Sequence, residues 1–167
     1  KQANNPISLT AVIGLAASAA LGTVDVDVEA LVIDPVQLST VYAGLDPGGV
    51  YKTTDGASNW SFSNVGLIAS KTQALVIDPS STNTIYAGTD SQAVYRSTDG
   101  GQNFSARNQG MQNDNVQALV IDFVDTSILY AGTSARGVLK TTNFASTWLT
   151  ANGGALPTDA NVEALAI

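Results

Sequence analysis

The sequence contains neither cysteine nor histidine. Those absences remove much site chemistry at once. Zinc sites of the usual kind need thiolate or imidazole ligands, and a Ser–His or Cys–His nucleophile needs its base. Lack of cysteine gives no redox compartment, since a reducing cytosol and many exported bacterial proteins both tolerate it. Basic residues are scarce as well: seven Lys and Arg stand against fourteen Asp and Glu, for a net charge of −7. No basic stripe is left to displace counterions from phosphates, so nucleic acid is excluded as a partner, and an anionic membrane surface with it. Long apolar runs are also few. Ile7–Gly22 is the one such run, and it is too short and too rich in Ala, Ser and Gly to span a bilayer. With Lys1 ahead of it and Ala17-Ser18-Ala19 inside it, this run reads as a signal-peptide remnant or as buried strand of an incomplete unit. The second reading is preferred, because mature chains rarely retain a signal segment. No membrane insertion is expected.

What is present belongs to a folded β protein. Apolar residues make up 44% of the 167 and charged ones 13%, with Ser, Thr, Asn, Gln and Gly filling the gap. That composition suits a real core under a polar, weakly charged surface. Few Lys and many Ser, Thr and Asn point to an extracellular or periplasmic setting.

Internal periodicity decides the fold class. Ala30-Leu31-Val32-Ile33-Asp34 returns as 74–78 and as 118–122, and Tyr42-Ala43-Gly44 returns as 86–88 and 130–132. Asp55, Asp99 and Asn143 hold the same spacing of 44 residues, and so do Trp60, Phe104 and Trp148. Each repeat offers four short strands separated by turn residues. The first covers 28–34, 72–78 and 116–122; the second 40–45, 84–89 and 128–133; the third 49–54, 93–98 and 137–142. The fourth begins at the aromatic and covers 59–65, 103–109 and 147–153. Ala-Leu-Val-Ile is apolar on both faces, as a strand between neighbouring sheets must be. Tyr-Ala-Gly puts small residues where sheets approach closely. The last two strands alternate apolar with polar residues and lie nearer water. Four antiparallel strands in this length make one blade of an all-β propeller. The predicted units are 28–72, 73–116 and 117–161, with an incomplete N-terminal unit or remnant over 1–27 and the first strand of a further unit at 162–167.

The turn between third and fourth strands carries a recognisable pattern. Thr53-Thr54-Asp55-Gly56-Ala57-Ser58-Asn59-Trp60 and Ser97-Thr98-Asp99-Gly100-Gly101-Gln102-Asn103-Phe104 resemble the Asp-box, or bacterial neuraminidase repeat. Thr141-Thr142-Asn143-Phe144-Ala145-Ser146-Thr147-Trp148 is a degenerate third copy, with Asn for Asp and Ala for Gly. With Ala-Leu-Val-Ile-Asp-Pro and Tyr-Ala-Gly, the chain is similar to propellers of sialidases, xyloglucan-cleaving glycosidases, sortilin-type receptors and photosystem II assembly factors. In this reading the residues are structural. The carboxylates of Asp55 and Asp99 accept N–H bonds from their own turns, glycine such as Gly101 supplies positive φ, and the aromatic plugs the hairpin. Asp34, Asp78 and Asp122 read as further turn residues, with Pro35 and Pro79 fixing the next φ; a ring of carboxylates around a cation is the alternative. Lys52, Arg96 and Lys140 share one repeat position and are expected to pair with a neighbouring acid or with solvent.

Three units do not close a ring. The outer sheets would expose Val, Ile and Leu faces and unpaired edges, so copies of the chain or the remainder of a longer polypeptide are expected to cover them. The resemblance admits an enzyme, but a sialidase would need an arginine cluster for its substrate carboxylate. Arg96, Arg107 and Arg136 are the three arginines present, and Arg96 sits at the shared cationic position. A two-carboxylate glycosidase would draw on loop acids such as Asp46 and Asp90. Neither sets itself apart from ordinary loop residues, so no catalytic residue, metal or cofactor is assigned. The preferred function is a non-catalytic module that binds protein or glycan; the alternatives are a structural subunit of an extracellular ring or filament and a fragment of a propeller glycoside hydrolase. Asn59-Trp60-Ser61 and Asn103-Phe104-Ser105 match the N-glycosylation pattern but fall inside the turns.

Overall fold

The computed structural model describes residues 26–69 and 71–167. The run at 7–22 and nearly all of the incomplete unit over 1–27 therefore lie outside the described residues. Every regular element among the described residues is a strand, and the twelve strands form three four-stranded sheets. The first holds β1 (Asp27–Ile33), β2 (Val41–Asp46), β3 (Gly49–Thr53) and β4 (Ser61–Phe62). The second holds β5 (Thr72–Ile77), β6 (Ile85–Thr89), β7 (Val94–Ser97) and β8 (Ser105–Ala106). The third holds β9 (Val116–Ile121), β10 (Leu129–Thr133), β11 (Val138–Thr141) and β12 (Leu149–Thr150). Strands pair antiparallel in sequence order within each sheet. The described residues form no closed ring of sheets.

The sheets stack face on face through β1, β5 and β9. Side-chain alternation sets what each face offers. Ala30 and Val32 pack into the layer that holds Leu75 and Ile77, and Ala74 and Val76 pack into the layer that holds Leu119 and Ile121. Each first strand thus gives a small face to the sheet after it and a large face to the sheet before it. Leu75 and Leu119 are 8% and 7% exposed, while their counterpart Leu31 is 54% exposed, since no described sheet lies on that side. Burying each leucine is worth about 1.5–3 kcal/mol.

The glycine of Tyr-Ala-Gly is fixed by close approach. A Cβ on Gly44 would lie 2.6 Å from the Thr72 carbonyl oxygen, and one on Gly88 would lie 2.7 Å from Val116 Cγ1. Gly132 meets Val162 in the same way, with its Cβ position 2.6 Å from the Val162 carbonyl.

One expectation is revised. The fourth strands are two residues long and begin after the aromatic. The aromatic's own N–H leaves the sheet to bond the preceding unit: Phe104 N–H donates to Val65 O at 2.7 Å and Trp148 N–H to Gln109 O at 2.9 Å. Residues 162–167 run along the third sheet where a first strand would lie, with Val162 N–H donating to Thr133 O at 3.0 Å.

Candidate functional site

The three turns between third and fourth strands are built alike. Thr53 Oγ1 donates to Asp55 Oδ1 at 2.8 Å and accepts the Ala57 N–H at 3.2 Å. Asp55 Oδ1 accepts the Asn59 N–H at 2.9 Å, and Oδ2 accepts Asn59 Nδ2 at 2.8 Å. Ser97, Asp99, Gly101 and Asn103 repeat every one of these bonds. Bonds from the Asn59 and Asn103 side chains first, and from their N–H groups second, hold both carboxyls down to about 2. In the third turn the pair is exchanged. Asn143 Oδ1 accepts from Thr141 Oγ1 and the Thr147 N–H, while Asn143 Nδ2 now donates to Thr147 Oγ1 at 2.8 Å. An amide replaces the carboxylate, and a hydroxyl acceptor replaces the amide donor; the degenerate copy keeps its geometry through two matched changes. Because Asn59 and Asn103 already donate to carboxylates, the two N-glycosylation patterns are occupied by the turn itself.

Each turn also needs two successive residues in left-handed backbone. Gly56 and Ala57 (φ 69° and 73°), Gly100 and Gly101 (71° and 85°), and Phe144 and Ala145 (57° and 63°) fill those places. A left-handed non-glycine residue costs about 1–2 kcal/mol. The third turn carries that cost twice.

The turns bind the preceding sheet. At the first junction Tyr42 Oη and Lys52 Nζ both donate to the Gly100 carbonyl, at 3.0 and 2.9 Å. Lys52 also lies 5.2 Å above the Tyr42 ring. Burial first, then the charges of Asp34 and Asp99, push the Tyr42 hydroxyl up to about 12, so it stays a donor. At the second junction Phe144 replaces Gly100, and the Arg96 guanidinium sits between the Tyr86 ring (5.7 Å) and the Phe144 ring (5.6 Å). Tyr86 Oη and Arg96 Nε are buried there without a hydrogen-bond partner. The shared cations meet aromatic rings and, for Lys52, a carbonyl; none forms a salt bridge with an acid among the described residues, and each stays partly exposed to solvent. The aromatics complete the junctions: Phe104 and Trp148 are buried in the layer shared with the preceding sheet, and Trp148 Nε1 donates to Arg107 O at 2.9 Å. Trp60, the first of the series, is half-buried against Ala43 and Leu45.

Asp34, Asp78 and Asp122 close the turns after their strands, each accepting a backbone N–H two residues ahead at 2.8–2.9 Å. Among the described residues no three His, Cys, Asp or Glu gather as metal ligands.

A second cluster lies at the other end of the sheets, where the first strands start and the loops between second and third strands turn. Register places Asp27 opposite Asp46, Thr72 opposite Thr89 and Val116 opposite Thr133. Lys71 bridges Glu29 at 2.8 Å and Asp46 at 2.9 Å, and these bonds raise its pKa. Asp46 is thus held in an ion pair, while Asp90 stands in the equivalent loop and accepts from Ser91 Oγ. Arg136 bonds Asp114 at 2.8 Å. At the starts of β5 and β9, Gln73 Oε1, Asn115 Oδ1 and Gln117 Oε1 are buried with no partner within the protein. Sequence reading passed over Lys71, Gln73, Asn115 and Gln117. The available signal was that Glu29, Gln73 and Gln117 share one repeat position immediately before Ala-Leu-Val-Ile.

An all-β arrangement of stacked four-stranded antiparallel sheets is the architecture of β-propeller proteins, and comparison with solved structures agrees. A GH74 enzyme of Niastella koreensis is 21% identical with a TM-score of 0.61, over 74% of this chain and 22% of that one. The GH74 xyloglucanase of Xanthomonas campestris is 20% identical with a TM-score of 0.61, over 78% of this chain and 21% of that one. The extracellular domain of BT4673 from B. thetaiotaomicron, described as a one-component system, is 12% identical with a TM-score of 0.62, over 82% of this chain and 18% of that one. This chain spans about a fifth of the length of each of these structures. Identities this low carry the fold alone. No family model and no curated protein matches the sequence.

Proposed function

We propose that the chain is a run of Asp-box propeller blades, over 28–72, 73–116 and 117–161 and flanked by partial blades at 1–27 and 162–167, and that it is a non-catalytic module binding protein or glycan in an extracellular or periplasmic setting. In this reading Thr53, Asp55 and Trp60, with Ser97, Asp99, Gly101 and Phe104 and then Thr141, Asn143 and Trp148, hold blades together and take no part in recognition. The turn carboxylates support that division, because Asp55 and Asp99 are already spent on N–H bonds of their own turns.

One observation carries the binding role: the buried, unpartnered amide oxygens of Gln73, Asn115 and Gln117 at one end of adjacent sheets. These oxygens are closed to solvent, so a ligand reaches them only as the strand ends open; a buried acceptor left without a donor costs about 1–3 kcal/mol, which a ligand N–H or O–H would then recover. Amide and hydroxyl donors are what polypeptide backbones and sugars present. The exported setting rests on composition and on the likeness to an extracellular domain.

Ligand-observed NMR with soluble xyloglucan oligosaccharides, together with chromatography of the mixture, tests the glycan form of this reading. Line broadening that disappears in Gln117→Ala, with the oligosaccharides left intact, is the expected result. Release of shorter sugars would overturn the non-catalytic assignment, and broadening unaffected by Gln73→Ala and Gln117→Ala would move recognition to another surface.

A further inference from the structure

Three repeat positions supply the donors at each junction between sheets. At the first junction they are Tyr42, Lys52 and Ser63, and all three bond the next sheet's turn. Tyr42 Oη and Lys52 Nζ donate to Gly100 O at 3.0 and 2.9 Å, and Ser63 Oγ donates to Gly101 O at 2.8 Å. At the second junction the same positions hold Tyr86, Arg96 and Arg107. An ammonium and a hydroxyl have become two guanidiniums, so a second positive charge has entered. Tyr86 Oη, Arg96 Nε and Arg107 Nε are all buried there without a hydrogen-bond partner.

Register brings the two arginines together. Arg96 on β7 stands opposite Tyr86 on β6 and Ser105 on β8. Arg107, two residues beyond Ser105, continues that ladder through its N–H to Val94 O at 2.7 Å. Ladder partners, and residues two apart along a strand, share a face. Tyr86, Arg96 and Arg107 therefore face the third sheet together with Val94, which packs into the layer between the two sheets. Diagonal neighbours of this kind lie about 7–8 Å apart, within reach of long side chains. Burial raises the Tyr86 hydroxyl, and the positive charges of Arg96 and Arg107 both act against it. No acid answers the pair. Lys71 and Arg136 hold acids, whereas neither Arg96 nor Arg107 forms a salt bridge among the described residues. Asp78, whose charge also reaches Tyr86, has its Oδ1 taken by the Ser80 N–H and hydroxyl at 2.9 and 2.7 Å. Adjacent like charges repel, and buried N–H groups without acceptors add to the cost. A bound anion relieves the repulsion, and both guanidiniums are partly exposed to receive one.

We propose that Arg96 and Arg107 form a binding site for a tetrahedral oxyanion, a sulfate or phosphate group, at the junction of the second and third sheets. Arg96 lies between the Tyr86 and Phe144 rings, at 5.7 and 5.6 Å, so its N–H edge is the surface left for an acceptor. A carboxylate fills one guanidinium fork with its two oxygens, whereas a tetrahedral group has oxygens for both forks. The anion meets the forks from the solvent side. The Tyr86 hydroxyl is closed to solvent and is not a ligand. Tyr86 pairs with Val76 near the end of β5, so the site lies at the opposite end of the sheets from Gln73 and is independent of the recognition assigned there.

Proton–nitrogen correlation spectra of the arginine Nε–H groups test it, with sodium sulfate or sodium phosphate replacing sodium chloride at constant ionic strength. The expected result is that the Arg96 and Arg107 signals move together and saturably, while that of Arg136, held by Asp114, stays in place. Arg107→Gln should weaken sulfate binding roughly tenfold or more as read at Arg96, and Arg96→Gln should do the same as read at Arg107. The tighter of the two anions names the ester the site accepts, and sodium acetate should bind several-fold more weakly than either. Circular dichroism reports folding; if a variant unfolds, the contrast with Arg136 in the unaltered chain decides. Shifts that never saturate, or that Arg136 shares, would reveal only general ionic attraction and overturn the proposal. So would a response at Arg96 indifferent to Arg107→Gln, or acetate binding as tightly as sulfate. Gln73→Ala and Gln117→Ala should leave the sulfate response intact, which separates this site from glycan recognition.

Discussion

The two junctions between sheets solve one packing problem with different chemistry. At the first, a tyrosine hydroxyl and a lysine ammonium converge on one carbonyl, and the glycine that owns it leaves them room. At the second, phenylalanine stands in the glycine's place, the carbonyl receives neither donor, and an arginine is held between two rings instead. A carbonyl suits a compact ammonium, whereas a planar guanidinium stacks on aromatic faces. The glycine-to-phenylalanine and lysine-to-arginine exchanges therefore belong together. They also differ in what they leave over: the first junction satisfies its tyrosine, and the second buries a hydroxyl and a guanidinium N–H without partners.

What the junctions share is the place to break them first. Gly66 and Gly110 have φ of 82° and 90°, and a Cβ on either would collide with the carbonyl oxygen of the next sheet's aromatic, Phe104 or Trp148. Gly110→Ala should cost about 3 kcal/mol or more in urea unfolding. Gly154→Ala, at the same repeat position with φ 74° and open space around it, should cost about 1 kcal/mol. Equal losses would mean that the close approach does not matter.

The next comparison tests the hydroxyls. Tyr42→Phe removes a made bond and should lose about 1 kcal/mol, while Tyr86→Phe removes an unpaired hydroxyl and should be neutral or stabilising. A loss at Tyr86 matching that at Tyr42 would reveal a partner not seen here. Smaller still is the coupling between Arg96 and Phe144. Arg96→Lys alone should cost about 0.5–1 kcal/mol, and in a Phe144→Gly background the same change should cost less, because the lysine then finds a carbonyl as Lys52 does. A double-mutant cycle with no coupling would separate the two exchanges.

The smallest effect concerns acid. Asp55 and Asp99 have folded-state values of about 2, below the ordinary carboxyl value of about 4. Their contribution is complete above about pH 4 and is lost as pH falls through about 2. Protection of the Asn59 and Asn103 amides from hydrogen exchange should fall over that window, while the Thr147 amide, bonded to the amide of Asn143, should not change. A parallel fall at Thr147 would mean that the whole sheet is opening rather than the turns.

The 44-residue period located nearly every strand, because a strand between two sheets needs an unbroken apolar run and a close approach needs glycine. It also marked Asp55 and Asp99, whose bonding partners lie within four residues. It could not show that Lys52 meets the Gly100 carbonyl or that Arg96 meets the Phe144 ring, since those partners lie 48 residues beyond each in the chain. The two-residue fourth strands escaped it for a similar reason: whether Phe104 bonds its own sheet or Val65 in the turn after β4 is a choice between two units. Glu29, Gln73 and Gln117 were aligned in the repeat from the start, but which of their oxygens lacks a partner depends on burial.

Sequence alone determined the all-β class, the unit length, the turn chemistry and the exclusion of histidine and thiol chemistry, because each of these rests on residues adjacent in the chain or repeated at a fixed interval. Tertiary structure alone decided that Lys52 meets a carbonyl and Arg96 a ring of the next sheet's turn, and which acceptors are left buried without donors. Those outcomes depend on one sheet lying against another, and contacts between sheets are set by geometry that no single 44-residue unit contains.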